Sequence, residues 1–299
     1  MSAAAAAVAA TGPTAQTVIV EGVPVHCTLA GSDPNGSDPV VLLPGVGGTT
    51  ASDFEFLLPL LARTRRVLAV DLFYGAAEAT GLDGLLDQLA GVLRQVLPGR
   101  TVILVGFSVG ATVAAAFTAR NPTAPNPTAP NPTAPNPTAP NHSVASLVLV
   151  TPVPRASNRH RMLAALRSDI SVNHPEALRS LDLFSAYSST FLQLNSPEPF
   201  LPGANTVAQL HLFATCDLTA VLPQITVPTL VVGCTKDDLA GVEAARLLFA
   251  SLPDARYTEI DSGHAVFVER PAEILAIIRE FVSHPVSHPA GSMLEAARP

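Results

Sequence analysis

Charge is scarce in this sequence: only 14% of its 299 residues are Asp, Glu, Lys or Arg, and the formal net charge is -7. No basic face is evident to meet phosphates, which argues against nucleic acid as a partner. Cysteine is scarce too. Cys27, Cys216 and Cys234 are odd in number and lack metal-ligand spacing. That excludes a disulfide scaffold and fits structural thiols in a reducing, cytoplasmic setting. No apolar run reaches the ~18 residues that a bilayer span needs, so no membrane partner is expected. The alanine-rich start, Met1 to Ala10, lacks the basic region of a secretion signal and reads as part of a disordered tail over 1–15. No metal set, haem site or dinucleotide fingerprint is present, so no cofactor is expected.

What the chain has in quantity is apolar side chains, 48% of the total, enough for a large buried core. Thr17–Val20 and Val23–Leu29 flank Glu21-Gly22 and read as a hairpin. Short apolar runs at Val40–Leu43, Arg66–Val70, Thr101–Val105, Leu147–Val150, Thr229–Val232 and Arg256–Ile260 read as strands, most of them buried on both faces. Between them lie helix-like stretches: Phe54–Ala62, Leu82–Leu97 with its 3.6-residue period, Val109–Arg120 and Pro271–Val282. Strands alternating with helices predict an α/β fold, a mostly parallel central sheet with helices on both faces, over 16–150 and 218–283. Ligands of such sheets bind beyond the carboxyl ends of the strands.

Two segments interrupt the alternation. Residues 121–140 are four tandem copies of Asn-Pro-Thr-Ala-Pro, too proline-rich for helix or ladder. They predict an extended surface insertion. Residues 151–217 hold the helix-like Arg159–Ser168, Pro175–Leu194 and Thr206–Thr215, inserted at a strand's carboxyl end, and predict a helical lid. Residues 284–299 show no apolar period and read as a second disordered tail, with His284 and His288 on the surface.

Gly106-Phe107-Ser108-Val109-Gly110 carries the strongest chemical signal, because it follows a strand and opens a helix. A serine on so tight a turn adopts strained backbone angles, and Gly106 and Gly110 relieve the crowding around it. The helix start offers backbone N–H groups to developing negative charge. A helix N-cap serine would be the bland alternative. Asp261-Ser262-Gly263-His264 follows the last strand, and Gly233-Cys234-Thr235-Lys236-Asp237-Asp238 follows the strand before it. Both aspartates are candidate acids.

With these motifs the sequence resembles the α/β-hydrolase superfamily along nearly its whole length, the termini and the repeat excepted. The resemblance implies Ser108 as nucleophile, His264 as base and an orienting acid, in that family's chain order of nucleophile, acid, histidine. It selects Asp237 over the alternative Asp238, from relatives reading Gly-Cys-Thr-x-Asp at this turn. It also implies that Pro44-Gly45-Val46-Gly47-Gly48 is the oxyanion loop, with the N–H groups of Val46 and Val109 as donors. Pro44 stands where the family usually has His, a change that removes no backbone donor. Asp71 is expected to cap a helix or loop, and Phe73 and Tyr74 to line the pocket.

Serine at 108 argues against the branches of that family whose nucleophile is aspartate. The absence of tryptophan removes the halide ligands of others. The resemblance therefore implies hydrolysis of a carboxylic ester or thioester of a hydrophobic small molecule. The Ala- and Pro-rich composition is analogous to that of bacterial chains that tailor natural products. Two other readings stay open: a thioesterase or acyltransferase served by an acyl-carrier protein, and a ligand-binding protein without turnover.

Overall fold

The computed structural model describes residues 12–33, 36–75, 80–121, 143–197 and 206–295. Most of the tandem repeat, and the tail positions 1–11 and 296–299, lie outside the described residues. Eight strands make one sheet: β1 (Thr14–Val20), β2 (Val23–Ala30), β3 (Val40–Leu43), β4 (Val67–Asp71), β5 (Val102–Phe107), β6 (Val144–Val150), β7 (Thr229–Cys234) and β8 (Ala255–Ile260), in spatial order β1-β2-β4-β3-β5-β6-β7-β8. The first two strands form an antiparallel pair, β2 pairs antiparallel with β4, and every pairing from β4 to β8 is parallel. The α/β fold expected from the alternation of elements is the fold observed.

Alternate residues of the central strands enter two different cores, as the period of two requires. Val41 and Leu43 face one side, packed with Leu85, Leu89 and Leu93 of α3 (Leu82–Val96) and with the alanine-rich α4 (Val109–Arg120). Val40 and Leu42 face the other, against Leu57 and Leu61 of α2 (Leu57–Leu61) and Ile274 and Ile278 of α11 (Pro271–Ser283). Continuous burial along β3 and β5 explains why these runs do not alternate with polar residues.

Several boundaries differ from expectation. The stretch predicted as one helix over Phe54–Ala62 is two short ones. A capping box between Thr49 and Ser52 starts α1 at Thr50–Asp53, and α2 restarts at Leu57 so that Pro59, which lacks an N–H, falls in its first turn. β1 begins at Thr14, inside the predicted tail, because Thr14 and Ala15 pair with Leu29 and Thr28.

The second tail is corrected as well. Gly291 N–H donates to Ala255 O (2.7 Å), Tyr257 N–H to Ser292 O (3.0 Å) and Leu294 N–H to Tyr257 O (2.6 Å), so residues 291–294 run along the outer edge of β8. Pairing with an exposed sheet edge needs backbone groups only, so no apolar period announces it.

Between β6 and β7 the chain forms α5 (Asn158–Asn173), α6 (Pro175–Ala186), α7 (Ser189–Leu194) and α8 (Thr206–Thr215). α9 (Val242–Ser251) follows β7, and α10 (Val266–Glu269) precedes α11. Pro175–Leu194, predicted as one helix, breaks at Tyr187-Ser188, where the insertion is tied to the loop after β8. Glu269 accepts from Ser188 N–H and from its hydroxyl, both at 2.7 Å, and Ala265 N–H donates to Ala186 O at 2.8 Å. No described helix is long and apolar enough to cross a membrane.

Candidate active site

Ser108 stands between β5 and α4 with φ 54° and ψ -119°, a conformation that side chains other than glycine rarely hold. The neighbouring glycines make it possible in different ways. A Cβ on Gly106 would lie 2.5 Å from Ala111 Cα, against the start of α4 itself. On Gly110 it would lie 2.2 Å from Leu43 O, so that glycine instead lets the helix approach the end of β3. The Ser108 side chain caps no helical amide, which removes the N-cap alternative. Its hydroxyl is 2.9 Å from His264 Nε2.

His264 follows β8, and its Nδ1 lies 2.8 Å from Asp237 Oδ2 in the loop after β7. Asp237 is buried, and its other oxygen accepts from Leu239 N–H and Ala240 N–H, each at 2.9 Å. Burial works to raise the Asp237 pKa. The imidazole charge, its hydrogen bond and the two amides outweigh that, so the carboxyl is held below its ordinary value. An ionised carboxylate only accepts, so Nδ1 must carry the proton and Nε2 is left to accept from Ser108. Phe107 packs on the imidazole with ring centroids 5.1 Å apart and fixes its plane.

Asp238 points elsewhere: its carboxylate is exposed and pairs with Arg159 at 3.7 Å. Asp71 accepts from Thr50 N–H and hydroxyl, both at 2.7 Å, and so caps α1. Phe73 and Tyr74 line a separate groove with Pro24, His26 and Gln209, away from Ser108, because the chain leaves β4 on that flank.

The cavity over Ser108 and His264 is lined from the core by Val46, Asp53, Phe107 and Leu239. Leu163, Arg167, Asp182, Ala186, Leu210 and Phe213 of the insertion complete it. Among the described residues, neither Val46 N–H nor Val109 N–H meets a protein acceptor. Leu163 and Phe213 supply apolar wall, whereas Leu166 and Phe184 are exposed on the outside of their helices.

Two groups that sequence reasoning missed hold the Pro44–Gly48 loop. Gly45 N–H donates to Asp53 Oδ2 and Gly47 N–H to Gln209 Oε1, each at 2.8 Å. Asp53 is fully buried, and burial pushes its carboxyl up to about 6 against the opposing pull of Gly45 N–H, Ser52 and His264. A Cβ on Gly48 would lie 2.3 Å from that carboxylate, which explains the glycine at that position. Nothing local in the sequence distinguishes Asp53 or Gln209 from a surface residue.

The match of residues 40–277 to the alpha/beta hydrolase family spans most of the chain. A pyrrolizixenacetamide deacetylase of Xenorhabdus hominickii is 24% identical over 260 residues, covering 81% of this chain and 90% of its own. The structure of MGS-M2, an alpha/beta hydrolase enzyme from a Medee basin deep-sea metagenome library, superposes with a TM-score of 0.74 at 20% identity, over 90% of this chain and 98% of that one. The enol-lactonase of Burkholderia xenovorans LB400 gives 0.73 at 19% identity, over 90% and 100%. On the evidence of its sheet order, its strand-to-helix serine and this match, the chain belongs to the alpha/beta hydrolase family.

Proposed function

We propose that this protein is a serine hydrolase that cleaves a carboxylic ester or thioester of an apolar small molecule through an acyl-enzyme. The observation that carries the reading is the unbroken hydrogen-bond chain from Ser108 through His264 to Asp237, buried at the carboxyl ends of β5, β8 and β7. His264 Nε2 takes the hydroxyl proton as Ser108 Oγ bonds to the carbonyl carbon. The oxyanion forms against Val46 N–H and Val109 N–H, two donors free for it. His264 then gives its proton to the leaving oxygen or sulfur as that bond breaks. Water, activated by the same imidazole, clears the acyl group and restores Ser108.

A second reading, cleavage of an acyl amide, is favoured by the deacetylase relative. The apolar side chains of the insertion over the cavity support a hydrophobic acyl or leaving group. Transfer to a carrier protein or another acceptor would use the same groups. A fluorophosphonate probe, followed by peptide mapping, is expected to label Ser108. Burst release of p-nitrophenol from short acyl esters is expected from the wild type and not from Ser108→Ala. Equal reaction of the two proteins, or labelling at another residue, sinks the reading, and absence of both reactions in the wild type returns it to a ligand-binding protein. Paired esters and anilides of one acyl group separate the ester from the amide reading.

A further inference from the structure

In the loop Pro44–Gly48, Pro44 has no N–H and the three glycines spend theirs within the protein. Gly45 N–H donates to Asp53 Oδ2 at 2.8 Å, Gly47 N–H to Gln209 Oε1 at 2.8 Å and Gly48 N–H to Gly45 O at 3.3 Å. Among the described residues, Val46 alone in this loop keeps an uncommitted donor, and it lines the cavity over Ser108. The two side chains that hold the loop come from different parts of the chain. Asp53 ends α1, just past the loop itself. Gln209 lies on α8 of the insertion, 162 residues from Gly47. It is only 5% exposed, so its amide oxygen depends on that one N–H for a partner.

The shape of the loop shows what the contact controls. The bond from Gly48 to Gly45 closes a turn with Val46 and Gly47 at its centre, and Gly47 holds φ 71°. Positive φ at the third residue is the type II pattern, and type I differs from it by a flip of the central peptide. Glycine at that position permits either form. The flip would turn Gly47 N–H away from Gln209 and bring the Val46 carbonyl oxygen toward the Gln209 oxygen. It would also rotate the backbone of Val46. A buried acceptor facing this peptide therefore selects one form of the loop.

We propose that Gln209 is a positioning residue for the oxyanion hole: its carbonyl fixes the Val46–Gly47 peptide, so that Val46 N–H is aimed only while α8 is seated. This rests on the reading of Ser108 as nucleophile and Val46 as oxyanion donor, and it makes the insertion part of the catalytic geometry. Gln209 makes no hydrogen bond to Ser108, His264 or Asp237. Its loss therefore leaves nucleophile and base in place and weakens the tetrahedral state.

Gln209→Met removes the oxygen at nearly constant shape, and Gln209→Glu restores one. Steady-state hydrolysis of one p-nitrophenyl ester, per active site titrated with a fluorophosphonate, compares both with the wild type. Calorimetric titration with phenylboronic acid reads the hole without turnover, because its adduct with Ser108 places an oxygen at the oxyanion position. Gln209→Met is expected to lower kcat about thirtyfold and to weaken boronic acid binding by about the same factor, with KM changed less than about twofold. A misplaced donor costs less than the roughly 10²–10³-fold of an absent one. Gln209→Glu is expected to return kcat to within about fivefold of the wild type. Wild-type kcat in Gln209→Met overturns the proposal, as does a loss confined to KM or an equal loss in both variants. Should Gln209→Met fail to fold, Gln209→Asn decides, since it stays polar but draws the oxygen back by one bond length. The same fall in kcat supports the proposal, and wild-type turnover ends it. A wild type that binds the boronic acid without turning over any ester or amide faults the proposed reaction, and the affinity ratio then judges Gln209 by itself.

Discussion

Asp237 and Asp238 are adjacent in the chain, and the fold gives them opposite environments. The first is buried between an imidazole and two amides, and the second is exposed beside Arg159. Asp237→Asn should therefore lower kcat by about 10⁴-fold, because the wrong imidazole tautomer is then favoured. Asp238→Asn should change it by less than about threefold. Steady-state hydrolysis of one p-nitrophenyl ester compares them, and a larger loss in the second variant reverses the assignment of the acid. Asp53 makes a different prediction, in stability. Its native pKa of about 6 lies above the ordinary 3.8, so the folded state binds the extra proton and ionisation costs stability. That cost is absent below about pH 4, grows as the pH rises through 6 and is complete above it, reaching roughly 3 kcal/mol. Asp53→Asn keeps an oxygen for Gly45 N–H and removes the charge. Urea titrations should show the variant gaining on the wild type between pH 4 and pH 7; a constant difference across that range would contradict the burial argument.

At the scale of elements, the site depends on how closely α4 can lie against β3. Gly110 sits where that contact is tightest, 2.2 Å from Leu43 O to a built Cβ. Gly110→Ala should cost about 3 kcal/mol of stability, at the upper end of overpacking effects, and should move Val109 N–H from the position proposed for it beside the oxyanion. Thermal unfolding and kcat for one ester read the two effects. A variant as stable and active as the wild type would show that the contact relaxes freely. Glu269 acts between elements as well, since its carboxylate gathers Ser188 of the insertion and Gly263 N–H beside His264. Nothing local in the sequence marks Glu269 as joining the insertion to the histidine loop. A glutamate at the end of so short a helix looks the same whether it caps a turn or clamps a distant serine.

For the whole molecule, the sheet has one edge at β8, and the chain's own residues 291–294 cover it. Ending the chain at Ser287 removes these contacts and the acceptor that His288 O offers to Arg256. The loss should be about 1–3 kcal/mol, because edge groups regain water, together with greater self-association through the bare strand. Urea unfolding and sedimentation velocity would show both, and an unchanged monomer of wild-type stability would deny the segment that part. The sequence by itself determined the succession of strands and helices and the strained serine turn. Apolar period and glycine spacing act over a few residues, and the same few residues build a strand or an elbow. Its motifs narrowed the acid to two neighbours, and the family resemblance chose Asp237. Only the tertiary structure showed that Asp237 lies against His264, that Asp53 and Gln209 hold the loop beside Ser108, and that Arg167 and Asp182 share its cavity. Such contacts depend on where side chains from remote segments point once both faces of the sheet are packed, and no local pattern encodes that direction.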